Sequence, residues 1–171
     1  SNSYLGLHDM RKFACWKFRD WNDKRGPDPV DEFDDFKENI EKGMEKSRNF
    51  DKPICDMMLD QEYFNGIGNY LRSTALFHTN INQFQPAKKA LEEHPELIEQ
   101  CKKVCQYAYN MQKRMAGADN QKEFNKQQQS FKMWKFYQKG LGCEDKRGRT
   151  FWFSPKWEND CPYEIVQKKS L

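Results

Sequence analysis

Long apolar runs are missing from this 171-residue chain: nothing approaches the ~18 consecutive apolar residues of a membrane-spanning helix, and 32% of the residues are charged. A helical membrane protein is excluded, and no membrane partner is expected. The start Ser1-Asn2-Ser3 lacks the basic and apolar segments of a signal peptide, so secretion is not expected either. Cysteine is present but unpatterned. The six cysteines include no Cys-x-x-Cys, Cys101 and Cys105 share one helical pattern, and His8, His78 and His94 lie apart from them. Neither a disulfide framework nor a metal site follows, and packed, reduced thiols in a nuclear or cytoplasmic protein are the expectation. Internal repeats are absent, and the only biased tract is Gln127-Gln128-Gln129.

A strong net charge is lacking too, since the formal sum is +3, but the charge is unevenly placed. Between Asp28 and Glu45 eight acids face only Lys37 and Lys42, whereas Gln121 to Leu171 holds eleven Lys and Arg against six acids. An anionic polymer would meet the C-terminal half first, although an uneven solvated surface produces the same count. What the chain does have is aromatic mass. With 15% aromatic and 37% hydrophobic residues it can bury a core.

Apolar spacing predicts mainly α structure followed by a β-hairpin. Asp31 is the expected N-cap of a first helix carrying Phe33, Phe36, Ile40 and Met44, and a short helix should start at Pro53. Helical spacing returns from Asn69 to His78, then over Pro86 to Glu93 and Pro95 to Met115, before the loop-like Met115 to Asn120. Two aromatic runs, Lys132 to Tyr137 and Arg149 to Phe153, read as the strands of the hairpin, with Gly140, Gly142 and Gly148 in the turn segment between them. Leu5 to Phe13 reads as a strand entering a loop. A lone strand cannot fold by itself, and the chain begins at Ser1 without an initiating Met, so a preceding sheet domain is expected.

Three segments are candidates for chemistry, each with two readings. Asn65-Gly66-Ile67-Gly68-Asn69-Tyr70-Leu71-Arg72 is either a glycine turn between packed helices or an anion site, with Gly66 and Gly68 admitting a phosphate to the helix start and Asn69. The hairpin is either a ribbon packed on the helices or one whose tip presents Lys146, Arg147 and Arg149 to a nucleic-acid backbone. The Asp9 to Phe13 loop is either a strand end or a wedge, with Arg11 and Phe13 entering a duplex from which a base has been extruded.

Taken in order, Asp9-Met10-Arg11-Lys12-Phe13, Phe36-Lys37-Glu38-Asn39, Pro53-Ile54-Cys55, Leu59-Asp60-Gln61, Phe64 to Arg72 and Gly148-Arg149-Thr150-Phe151-Trp152-Phe153 resemble the formamidopyrimidine-DNA glycosylase and endonuclease VIII family. The resemblance runs from about Leu5 to Trp157 and is nearest the endonuclease VIII-like branch with a zincless finger, because Cys143 and Cys161 cannot supply four ligands. It implies a helix-two-turns-helix domain over 29–120, a zincless-finger region over 121–171, and a remnant of a catalytic β-sandwich domain over 1–28. It implies that Asn69 and Arg149 bind the phosphate beside the lesion, with Lys146, Arg147, Gly66 and Gly68 in support, and that Arg11 and Phe13 fill the void. No cofactor and no zinc are expected. The partner implied is double-stranded DNA with an oxidised base or abasic site, bound by a monomer.

In that family the nucleophile is an N-terminal proline amine, followed by a glutamate, and a sheet-domain lysine also binds phosphate. The amine attacks the sugar C1′, releases the base and forms a Schiff base, after which elimination cuts the strand. None of these groups is found in this sequence, so no catalytic residue is expected in the chain. The segment 117–121 falls where the family covers the extruded base, without a matching motif. The resemblance thus implies the DNA-binding C-terminal part of a bifunctional glycosylase and AP lyase for oxidised bases, pyrimidines above all. Two alternatives stand beside it: a non-catalytic module that binds damaged DNA, and a protein-interaction domain.

Overall fold

A computed structural model describes residues 20, 22, 24–116 and 140–169. These residues are mainly helical with one small antiparallel sheet. The first helix, α1 (Phe33–Lys46), buries Phe36, Ile40 and Gly43 on one face and carries Asp34 and Asp35 in its first turn, where the helix dipole favours them. It does not start as expected. Glu32, not Asp31, is the N-cap, and it makes no side-chain cap bond; the entry is instead built by Asp28, whose Oδ1 accepts from the amides of Val30 (2.7 Å) and Asp31 (3.1 Å). Glu32 reaches back, accepting from the Asp28 amide at 2.7 Å and pairing with Arg25 at 2.9 Å.

A 3₁₀ turn (Arg48–Asp51) leads to α2 (Ile54–Met57), and two loops later come α3 (Asn69–Thr79), α4 (Ala87–Glu93) and α5 (Glu96–Ala116). The short α2 is tied at its start to the chain before α4. The Ile54 and Cys55 amides donate to the carbonyls of Gln85 and Gln83, and the Ala87 amide donates to Lys52. The helix positions expected around Pro53, Asn69, Pro86 and Pro95 therefore all hold, within a residue or two.

The two loops between α2 and α3 are organised by one side chain. Gln61 Nε2 donates to the carbonyls of Leu59, Phe64 and Ile67 while its Oε1 accepts from the Gly66 amide. Gly66 sits at φ 78°, in the left-handed region that favours glycine. Gly68 differs. Its φ of −98° is open to any residue, and a Cβ there would meet nothing within 4 Å, so the fold does not require a glycine at the start of α3.

The sheet has the order β2-β1-β3, with β1 (Gly140–Glu144), β2 (Thr150–Phe153) and β3 (Ile165–Lys169). The hairpin is present, with Phe151 and Phe153 in its returning strand, but its first strand is not the aromatic run 132–137, which lies outside the described residues. Gly140 and Gly142 belong to the strand, Gly142 facing Trp152, and only Gly148 is in the turn. The reason is local. A Cβ on Gly140 would stand 2.5 Å from the Phe153 carbonyl oxygen, so glycine here marks a close strand approach and not a bend. The third strand, β3, was not expected from the sequence; it pairs with β1 through a register shift between Gly142 and Cys143.

Helices and sheet share one core. Phe84, from the loop before α4, packs edge-on against Phe151, Phe153 and Tyr163, while Phe36 meets Phe64 edge-on beneath α1. Leu141 and Cys143 of β1 join the same buried cluster as Leu76 and Leu97 of the helices.

Candidate nucleic-acid interface

From Leu71 to Leu76 every residue of α3 is buried, including Arg72, Ser73 and Thr74, so this helix runs through the interior with its N-terminal end pointing out beside the hairpin. Its polar interior residues are satisfied locally. The Ser73 and Thr74 hydroxyls donate to the carbonyls of Asn69 and Tyr70, one turn back.

Asn69 opens the helix and joins it to the sheet. Its Nδ2 donates to the Thr150 carbonyl at 2.8 Å, and its Oδ1 accepts from Arg72 Nε at 3.0 Å and Nη2 at 2.6 Å. The guanidinium only donates, which fixes the amide with its oxygen toward Arg72 and its nitrogen toward the hairpin.

Arg72 has no exposed surface. Besides Asn69 it donates from Nη1 to the Cys55 carbonyl at 2.8 Å, pairs through Nη2 with Asp145 at 2.6 Å, and lies 4.6 Å from the centre of the Phe151 ring. A buried cation is tolerable only when paired and hydrogen-bonded in this way. Asp56 adds a second carboxylate at 4.0 Å and accepts a short hydrogen bond from the Tyr163 hydroxyl. One guanidinium thus connects α2, α3 and the hairpin.

Asp145 faces the other direction as well. While Oδ2 takes Arg72, Oδ1 accepts from the backbone amides of Arg147 (2.9 Å) and Arg149 (3.0 Å). Burial by itself raises the Asp145 carboxyl, but the Arg149 amide, the Arg72 guanidinium and the Arg147 amide together hold it below its ordinary value. The turn closes with Gly148 donating to the Asp145 carbonyl at 2.9 Å and Asp145 donating to the Arg149 carbonyl at 3.0 Å, and Gly148 takes φ 68°. Lys146, Arg147 and Arg149 stand exposed on this turn, and among the described residues none of them enters an ion pair.

Six of the sequence candidates therefore fall into two adjoining groups. Gly66, Gly68 and Asn69 lie at the entry to α3; Lys146, Arg147 and Arg149 lie on the turn that Asn69 and Arg72 fasten to it. Arg11 and Phe13 lie outside the described residues, as does the segment 117–121. The Arg72–Asp145 pair was missed. Its sequence signals were an arginine among the apolar Leu71, Ala75 and Leu76 on a helix face, and an aspartate three residues before a turn glycine.

The cleft between α2 and the hairpin turn has a volume of about 150 Å³ and includes Lys52, Asp56, Asp60 and Arg147 in its lining. It is below the ~300 Å³ at which small-molecule pockets begin. Among the described residues no three metal-binding side chains cluster. The five described cysteines are free, and burial raises the thiols of Cys55, Cys101, Cys105 and Cys143, Cys105 to about 12, which keeps them protonated at neutral pH. Among the described residues no helix is long and apolar enough to cross a membrane.

No family model matches the chain. It is 30% identical over 170 residues to Endonuclease 8-like 1 of Homo sapiens and equally to that of Mus musculus, in each case over 85% of this chain and 43% of the relative. A stretch of 36 residues is 44% identical to Endonuclease 8-like 2 of Bos taurus, covering 21% of this chain and 11% of that protein. The chain spans less than half the length of the relatives it matches.

Proposed function

The chain belongs to the endonuclease VIII-like branch of the formamidopyrimidine-DNA glycosylase and endonuclease VIII family, and from that premise we propose that it forms the DNA-holding, C-terminal part of a glycosylase and AP lyase acting on oxidised bases. The observation that carries this reading is the fastening of the α3 entry to the hairpin turn by Asn69 and Arg72. A helix start with open space before Gly68 and an exposed turn bearing three cations are brought side by side, the arrangement that a single DNA backbone requires.

In this proposal residues 29–120 are the helix-two-turns-helix unit and 121–171 a finger built without zinc, preceded by the end of a sheet domain over 1–28. The aromatic packing of Phe84 on Phe151 and Phe153 supports a metal-free finger, because it supplies the core that zinc would otherwise replace. Asn69 and Arg149 hold the phosphate beside the lesion, Lys146 and Arg147 strengthen the grip, and Arg11 and Phe13 occupy the space left by the extruded base. The partner is double-stranded DNA carrying an oxidised pyrimidine or an abasic site, bound by a monomer, in the nucleus or cytoplasm. The chemistry belongs to the whole protein, through an N-terminal amine that forms a Schiff base at C1′.

Binding to a duplex with a stable abasic-site analogue, followed against salt, tests the assignment. Asn69→Ala and Arg149→Ala should each weaken binding, and Arg149→Ala, which removes a charge, should also lower the salt slope by about one unit. Unchanged affinity in both variants, with an unchanged slope in Arg149→Ala, would remove the DNA-holding role. Borohydride treatment on abasic DNA reports separately on the chemistry, since a covalent adduct would place a nucleophile within this chain.

A further inference from the structure

We propose that Asp145 is a positioning residue for DNA binding: through the buried Arg72 guanidinium it sets where the hairpin-turn cations stand relative to the entry of α3. This rests on the DNA-holding role argued above and adds to it the part that gives the grip a fixed geometry. Asp145 is 5% exposed and Arg72 fully buried, so neither can touch a phosphate. Each nevertheless touches a group that can. One carboxylate oxygen holds Arg72, which orients the Asn69 amide through two hydrogen bonds, and the other oxygen holds the backbone amides of Arg147 and Arg149.

The geometry is specific to a carboxylate. Its two oxygens accept on opposite sides, one from a guanidinium and the other from two backbone amides, and only an ionised acid accepts at both without presenting a hydrogen to either. Because Arg72 also donates to the Cys55 carbonyl and stacks near Phe151, the carboxylate is anchored to the interior and not to another surface element. Such an arrangement fixes the turn against the helix start before DNA arrives, so the protein loses little conformational freedom on binding. Arg147 and Arg149 would otherwise sit on a turn joined to the sheet only at its base.

Asp145→Asn tests this, because the amide oxygen still accepts from the turn amides while the charge facing Arg72 is gone. On the abasic-analogue duplex it should bind roughly tenfold more weakly, with the salt slope lower by about one unit. In a background carrying Lys146→Ala, Arg147→Ala and Arg149→Ala the same substitution should change affinity by less than about twofold, since the turn cations it positions are absent. An equal loss in both backgrounds would mean general loosening and overturn the proposal. Arg72→Met combined with Asp145→Asn removes both charges together, a change that buried pairs tolerate better than loss of one partner, and so gives a folded comparison. That double variant should bind as weakly as Asp145→Asn; binding at the wild-type level would also overturn the proposal while leaving the DNA-holding role intact. If the unsubstituted chain shows no salt-dependent binding, the functional reading fails first and the positioning role falls with it.

Discussion

Taking the Arg72 guanidinium out of water is costly, and the structure offsets that cost with Asp145 at 2.6 Å and with carbonyl and amide oxygens on its remaining edges. Removing one partner leaves the other charge buried alone. Asp145→Ala is therefore expected to lower stability by about 3–5 kcal/mol, read from urea unfolding at pH 7. Its pH dependence has a definite sign. The folded-state pKa of Asp145 is depressed, so its contribution is present above the ordinary carboxyl range near ~4 and lost as pH falls through the lower folded value. Between pH 6 and pH 2 the stability gap between wild type and Asp145→Ala should narrow, and a gap that widens on acidification would show that the carboxylate is not stabilised by these contacts. The candidate residues Asn69 and Arg149 were legible because glycines and a helix start mark one and a basic turn the other. The ion pair joining them was not, since it depends on a contact across 73 residues of sequence.

At the scale of elements, periodicity made the helices readable, and turn chemistry misplaced the first strand of the hairpin. Gly140, Gly142 and Gly148 look alike in sequence, yet Gly140 is a glycine because the Phe153 carbonyl lies against it and Gly148 because the turn needs φ 68°. The two positions should respond differently to alanine. At Gly148 the nearest atom to a Cβ is Glu144 Oε1 at 3.7 Å, leaving only the left-handed backbone penalty of roughly 1–2 kcal/mol. Gly140 also takes a left-handed φ, 82°, so the same penalty adds there to a backbone oxygen at 2.5 Å, which cannot swing away as a side chain would, and strand pairing itself must shift. Thermal unfolding of the two variants should give Gly140→Ala the larger loss. The reverse order would place the critical strain in the turn. β3 escaped notice because Ile165 to Lys169 has only two apolar residues and draws its stability from pairing with β1.

Over the whole molecule the question is whether the helices and the sheet can separate. Charge alone suggests two parts, an acidic stretch from Asp28 to Glu45 and a basic C-terminal region, and that division is legible in sequence. Packing joins them. Phe84 stands between Phe151, Phe153 and Tyr163 of the sheet region on one side and the helical core on the other, and the Arg72 contacts cross the same boundary. Amides in α3 and in the β1–β2 ladder should then exchange with deuterium through one common opening, with Leu76, Cys143 and Phe151 giving the same free energy. Phe84→Ala removes the aromatic bridge, at a cost of about 3–5 kcal/mol. It should let the hairpin amides exchange faster than those of α3, because the sheet then keeps fewer apolar contacts with the helical core. If the hairpin already opens separately in the unsubstituted chain, the shared core does not bind the two regions into one cooperative unit, and a DNA clamp built across them would have to form on binding.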